Sequence, residues 1–245
     1  MLKARRYPQT GFSLTDLLMG STIGLMVLSG GITIYSNLAA SASIHLAQAH
    51  LNAELRATQD IISRNLRRAG YWSGKPGIDG ILNNPFQSRE NYLSLGAAHG
   101  EAASSCITFA YDRNKDKLVG VGNRGIKTTA TNRINVEQFG YRIHKGAVES
   151  RTSGSPLDCN SGRWQDLTST TTLITGLRFI LHQNTANLSG NLSDMGAACT
   201  VGNICQTSRL IEFSLSGHTK NRTHTLRTIN SSVQLRNDHL VQVLD

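Results

Sequence analysis

Proline, aromatic residues and acids are all scarce in this chain of 245 residues. It has four prolines, 6% aromatics, and 16 Asp+Glu against 25 Lys+Arg, a net charge of +9. No proline falls between Pro8 and Pro76, so nothing there interrupts a continuous helix. Motifs are missing too. Without a CxxC, the four cysteines lack the spacing of a zinc site, and without HxxxH or HExxH, so do the eight histidines (His45, His50, His99, His144, His182, His218, His224 and His239). There is no GxSxG elbow either, and the few acids are scattered. Nothing nominates a catalytic centre, so we read a non-enzyme with no cofactor. Only one long apolar run exists, which excludes a polytopic membrane protein. Apolar residues at 39%, with 23 glycines added, are ordinary for a packed protein and exclude a disordered or collagen-like chain.

The apolar run lies near the start. Lys3, Arg5 and Arg6 precede it, and from Phe12 to Tyr35 the one charge is Asp16. These residues as a helix span about 36 Å, enough to cross a bilayer core of about 30 Å. The basic flank stays cytoplasmic and the rest is exported. An ordinary secretory signal ending at Ala40-Ser41-Ala42 is one reading, but its apolar region would be too long and would enclose Asp16. A retained membrane segment is the other. An acid at mid-bilayer depth costs roughly 2.5–3.5 kcal/mol, so Asp16 then requires a partner. Cutting between Gly11 and Phe12 supplies one: the new α-amino group lies one helical turn from Asp16, in the same chain or an adjacent one.

Gly11 followed by Phe12-Ser13-Leu14-Thr15-Asp16-Leu17-Leu18, after a short basic leader, resembles a type IV pilin precursor. The family signature has Glu at the fifth mature position; here Asp16 stands there, one methylene shorter. The resemblance implies that a prepilin peptidase cuts after Gly11 and methylates the Phe12 amine, and that Asp16 is the subunit-docking acid.

After the membrane stretch, Ile44, Leu51, Leu55, Ile62 and Leu66 mark one helix face. Arg56, Asp60 and Arg64 fall at i, i+4 on the other, and Gly70 offers a C-cap after a basic last turn. The pattern predicts one helix over 12–69, weakened in its first half by Gly20, Gly24, Gly30 and Gly31. Beyond it, β-rich runs appear at 104–111, 117–121, 138–144, 171–182, 208–216 and 223–235, the last two as a hairpin around 217–222. Segments 73–100 and 183–207 read as loops. The fold class is therefore α+β: a long N-terminal helix, its first half transmembrane, whose second half packs on an antiparallel sheet. The divisions are 1–11 leader, 12–35 membrane and filament-core half, 36–70 amphipathic half, and 71–245 sheet domain.

That order is similar to the pilin fold. Arg64-Asn65-Leu66-Arg67-Arg68-Ala69-Gly70-Tyr71-Trp72 and Ser232-Val233-Gln234-Leu235-Arg236-Asn237 resemble the helix end and chain end of PilW-type minor pilins. The resemblance implies a protein that starts in the inner membrane and ends in the pilus at the cell surface, priming assembly at the tip. Its expected partners are the prepilin peptidase, other minor and major pilins, and the inner-membrane assembly platform. A minor pseudopilin of type II secretion would share the N-terminus.

Cys106, Cys159, Cys199 and Cys205 follow the membrane segment and face an oxidising compartment if exported. Three pairings exist; Cys106–Cys159 and Cys199–Cys205 are the expected ones. Residues 120–125 match GxGxxG, but no helix pattern follows to hold a pyrophosphate, so a hairpin turn is expected. Asp112-Arg113-Asn114-Lys115-Asp116 opens like a calcium loop, yet Lys117 and Asn123 replace the required Gly and Glu. A polar turn is expected there. Two basic clusters, Arg64, Arg67, Arg68, Lys75 and Arg89, and Lys115, Lys117, Arg124, Lys127 and Arg133, are solvated faces or a weak DNA contact, as a DNA-binding uptake pilin would have.

Overall fold

The computed structural model describes residues 11, 13–74, 82–121, 135–189, 198–220 and 222–243. Among the described residues, one α-helix, α1 (Leu14–Leu66), is followed by nine strands: β1 (Ser94–Gly96), β2 (Cys106–Ala110), β3 (Gln138–His144), β4 (Ala147–Ser153), β5 (Arg163–Asp166), β6 (Thr172–Asn187), β7 (Ile204–Thr219), β8 (Arg222–Gln234) and β9 (His239–Gln242). The chain divides into two compact units, Met1–Ala49 and His50–Asp245. The fold is the expected α+β arrangement: one long N-terminal helix, apolar in its first half, whose second half packs on antiparallel sheets.

In the second unit, α1 buries Leu51, Leu55, Thr58, Ile62, Ser63 and Leu66, a stripe advancing by threes and fours. The stripe joins one core with Ile107 and Phe109 of β2, Tyr141 and Ile143 of β3, Leu177 and Phe179 of β6, and Ile211, Phe213 and Leu215 of β7. The strands form two sheets, β1-β2-β3-β4-β5 and β6-β7-β8 with β9 also on β7; every pairing is antiparallel. Phe179 N donates to Ser104 O (2.8 Å) and Ile174 N to Gly146 O (2.8 Å), joining β6 to the turns of the first sheet.

Several strand assignments differ from the sequence reading. Segment 117–121 forms no strand, only an isolated bridge from Val121 to Val136. β4 and β5 lie where charge obscures the alternation: Arg142 of β3 pairs with Glu149 of β4 (2.6 Å), and Arg151 of β4 is buried. Arg151 donates to the carbonyls of Gln138, Gly154 and Pro156, and burial lowers its pKa to about 10. The loop expected over 183–207 is narrower, because β6 runs to Asn187 and β7 starts at Ile204. Within 73–100 a short 3-10 turn (Pro85–Gln87) and β1 form.

Disulfides join Cys106 to Cys159 and Cys199 to Cys205. The first closes 53 residues, worth about 4 kcal/mol in chain entropy, the second 6, worth about 2 kcal/mol. Gly96 leaves the space the first needs: a Cβ there would lie 2.8 Å from the Cys159 sulfur. Replacing both Cys106 and Cys159 by Ala should therefore lower stability by about 2–5 kcal/mol, measured as the urea midpoint of the detergent-solubilised chain. Leu55→Ala, in the core stripe, should cost about the same by cavity formation.

Candidate functional site

The first candidate site is the start of α1. Gly11 is exposed and non-helical, and Phe12 lies outside the described residues. Ser13 is the N-cap: its carbonyl accepts from Asp16 N (3.1 Å) and Leu17 N (3.3 Å). The Asp16 carboxylate turns back to accept from Ser13 N (3.4 Å), the reciprocal arm of a capping box. Asp16 is thus held in the first turn, where the positive end of the helix dipole favours an acid.

The following turns expose every large apolar side chain, among them Leu14, Leu18, Ile23, Met26, Leu28 and Ile32. The polar groups between them do the opposite. Ser21, Thr22, Ser29, Thr33 and Ser36 each donate to a carbonyl three or four residues back, at 2.8–2.9 Å. These hydroxyl hydrogens therefore need no acceptor from the surroundings, which hydrocarbon could not supply. Gly20, Gly24, Gly30 and Gly31 each face open space, since an added Cβ would meet nothing within 4 Å. They cost roughly 1 kcal/mol each in helix propensity and fill no gap within this chain. By length and hydropathy, α1 is able to cross a membrane.

The second candidate site is the other end of α1. Gly70 takes φ +75°, and its carbonyl accepts from Asn84 Nδ2 (2.8 Å) and Gln87 Nε2 (3.2 Å). Asn237 Nδ2 donates to the carbonyls of Arg68 (3.3 Å) and Ala69 (3.2 Å). Three side-chain amides thus donate to carbonyls of the turn at 67–70 that follows the helix. One turn earlier, Asn65 donates to the Tyr141 hydroxyl and accepts from the Tyr111 hydroxyl (3.0 Å). Further up, Glu54 accepts from Ser169 N and from the hydroxyls of Ser169 and Thr172, fixing α1 to the start of β6. Arg64 Nε donates to the backbone carbonyl of Asp60 (3.3 Å).

Beside this end, the Asp112–Leu118 loop is wrapped on its acids. Asp112 accepts from Lys115 N (2.7 Å), Ser73 N (3.1 Å) and Ser73 Oγ (2.6 Å). Glu137, fully buried, accepts from Arg113 N (2.9 Å), Asn114 N (3.3 Å) and Gly120 N (2.9 Å). Asp116 accepts from Leu118 N and Asn114 Nδ2. Carboxylate oxygens of the three lie within 4.8 Å of one another. Burial raises the Glu137 pKa despite those three backbone donors, with Asp116 adding to the rise. The carboxylates act as loop scaffolding, each oxygen already accepting from backbone or side chain, which fits the polar-turn reading of this segment.

The two basic clusters partly meet. Arg68 of the first and Lys115 of the second line one cavity of about 320 Å³, together with Arg113, Asp112, Tyr71 and Tyr111. Arg64 on the helix and Arg67 just past its end are exposed, and Arg89 is exposed elsewhere. Lys75, Arg124, Lys127 and Arg133, like residues 122–125 of the GxGxxG match, lie outside the described residues. Trp72 packs against Phe86 and Val119, and its indole N–H donates to Lys117 O (3.3 Å).

An exposed apolar helix capped by Ser13 and Asp16, running into a helix-on-sheet domain, defines a pilin-related chain. The family model described as prepilin peptidase-dependent protein B matches residues 45–235, and the chain belongs to that family. The match begins after the apolar run, so it rests on the second half of α1 and the sheet domain rather than on the N-terminal motif. No curated protein and no solved structure matches the chain.

The buried phenols give a pH test. Burial pushes Tyr141 up to about 12 and raises Tyr111, so the fold favours both in the neutral form. Their contribution to stability is complete below the unfolded value of about 10; that of Tyr141 is lost as pH climbs through about 12, and that of Tyr111 as pH climbs through its own raised value. Phenolate absorbance should rise in two phases, the later one coinciding with unfolding; a single phase near the ordinary value would contradict the buried pair. Glu137→Gln sets an amide N–H against backbone donors and should cost about 1–3 kcal/mol, read by thermal melting, while calcium and EDTA leave the wild-type midpoint unchanged.

Proposed function

We propose that this chain is a PilW-type minor pilin that takes part in, and primes, type IV pilus assembly and is incorporated at or near the tip. The observation that carries the reading is the start of α1: an exposed apolar helix with its hydroxyls satisfied internally, opening on Ser13 and Asp16. Membership of a prepilin peptidase-dependent family supports it from the other end of the chain.

The mechanism follows from the parts. Residues 12–35 first lie in the inner membrane, with the leader cytoplasmic and the sheet domain periplasmic. Prepilin peptidase cleaves after Gly11 and methylates the Phe12 amine. The helix then leaves the bilayer for the filament core. Lipid tails and packed side chains are about equally apolar, so this transfer gains little hydrophobic energy. Close packing at Gly20, Gly24, Gly30 and Gly31 and the charge of Asp16 must direct association. Asp16 exchanges its bond to Ser13 N for the terminal amine of its own or a neighbouring subunit. The sheet domain meets other minor pilins, and the assembled tip supports motility, adhesion or DNA uptake.

A DNA-binding role is the second reading, favoured by Arg68, Arg113 and Lys115 around one cavity beside Tyr71. Asp112, Asp116 and Glu137 in the same region offset part of that charge, which places it behind the first. DNA retention by the detergent-solubilised chain at two salt concentrations tests it.

Mass spectrometry of the mature protein should find a chain beginning with N-methyl-Phe12; a start at Ser43 would overturn the reading. Gly11→Val should leave the precursor uncut. Asp16→Ala should reduce surface pili about tenfold or more without loss of the folded domain, counted by shearing and immunoblot. Deletion that abolishes protein secretion but spares pili would favour a type II secretion pseudopilin instead.

A further inference from the structure

β8 ends the second sheet. The order is β6-β7-β8, and β9 pairs with β7 outside the span that β8 takes, so no strand covers the outer edge of β8 among the described residues. Leu235 N donates to Arg209 O (3.0 Å), and the register runs on with Val233 opposite Ile211 and Ser231 opposite Phe213. In an antiparallel ladder, residues that bond the neighbouring strand alternate with residues that turn away from it. The odd positions therefore face β7, and Leu226, Thr228, Asn230, Ser232 and Gln234 turn their N–H and C=O groups to the open edge. None of these five has a backbone bond to another segment among the described residues. Exposed edges are usually blocked by proline, lysine, a bulge or shortness. β8 is 13 residues long, has neither proline nor lysine, and shifts register on β7 only between Gly217 and Thr219. What fits such a ladder is another extended backbone.

Charge narrows the occupant further. Ser63 Oγ of α1 lies 3.4 Å from Ser231 Oγ, which sets that flank of the helix beside β8. At about 100° per residue, Arg56, Asp60 and Arg67 fall within about 60° of Ser63 around the helix. Arg67 N still bonds Ser63 O (3.1 Å), so the turn continues to it. All three are exposed. Arg227, also exposed, is an odd position and shares the α1 side of β8 with Ser231. Exposed Arg236 follows the end of the strand. Four arginines thus stand against Asp60, and none of the five is in an ion pair among the described residues. On the opposite side of the sheet, Glu212 lies one strand further in and is bonded to His182 (3.5 Å). A segment laid along β8 with acids facing α1 would meet unpaired arginines. A second copy would bring an equally basic flank against this one, which is repulsive.

We propose that the open edge of β8 takes an extended acidic segment of another protein as an added strand, its backbone on the 226–234 ladder and its carboxylates toward Arg56, Arg67 and Arg227. The site uses the second unit alone, so it and the assembly reading stand or fail separately.

The test is fluorescence anisotropy of labelled peptides of about nine residues with the full chain in a zwitterionic detergent. One probe alternates Thr with Glu and the other Thr with Lys, so that all the charges fall on one side of an added strand. Saturable binding of the Thr/Glu peptide is expected, about fivefold or more tighter than that of the Thr/Lys peptide and weakened by salt. Asn230→Pro removes an N–H from the open edge and none from the ladder to β7. It should weaken that binding about tenfold or more, with the melting midpoint little changed. No saturable binding of the Thr/Glu peptide overturns the proposal. So does equal binding of the two peptides, binding that Asn230→Pro leaves intact, or a dimer of the chain that Asn230→Pro dissolves. Should Asn230→Pro unfold the protein, Arg227→Glu, at an exposed position, decides: it should weaken binding of the Thr/Glu peptide about fivefold or more, and unchanged binding overturns the proposal.

Discussion

One continuous helix here must satisfy two different surroundings, and the rest of the chain depends on how it does so. From Leu14 to about Leu38, α1 shows apolar side chains on all sides and hides the polar hydrogens of its serines and threonines against its own backbone. Such a surface is unfavourable in water and neutral in lipid or among like helices. From Leu51 onward, α1 keeps one apolar stripe and covers it with two sheets. The change of environment is written in the pattern: large apolar side chains point to all sides in the first half and gather on one stripe, with Thr58 and Ser63, in the second.

The second half is held by polar contacts as much as by the core. Glu54, Asn65 and the three amides on the last carbonyls are each bound to segments far away in sequence. Hydrogen bonds of this kind have strict geometry, so they fix the rotation and axial position of the helix in a way that an apolar stripe does not. The strongest conformational demand in this region falls on Gly70. Its φ is positive, and a Cβ would lie 2.5 Å from Gln87 Nε2.

Periodicity carried the elements that alternate or repeat cleanly. Leu51, Leu55, Ile62 and Leu66 were legible as a buried face, and β3 occupies the span that its sequence indicates. β4 was not legible, because Glu149 and Arg151 break its alternation and become acceptable only once Arg142 and three carbonyls answer them. Segment 117–121 has the composition of a strand, but the carboxylates of Asp116 and Glu137 draw the neighbouring backbone into a loop. Of the candidate sites, the residues around Asp16 stand out as a charge in an apolar run. Glu54, Asn65, Gln87 and Asn237 do not, since a polar residue on a helix or loop reads as solvated until its distant partner is known.

The link between Cys106 and Cys159 has a mechanical consequence. A protein pulled at its ends lengthens by the contour each broken element releases. The chain between these cysteines, a separation of 53 residues, is withheld from that extension while the bond is intact. At 3.3–3.6 Å per residue, roughly 180 Å of chain stays out of the load path. Oxidation would thus shorten the reach of a stretched subunit, and reduction would restore it.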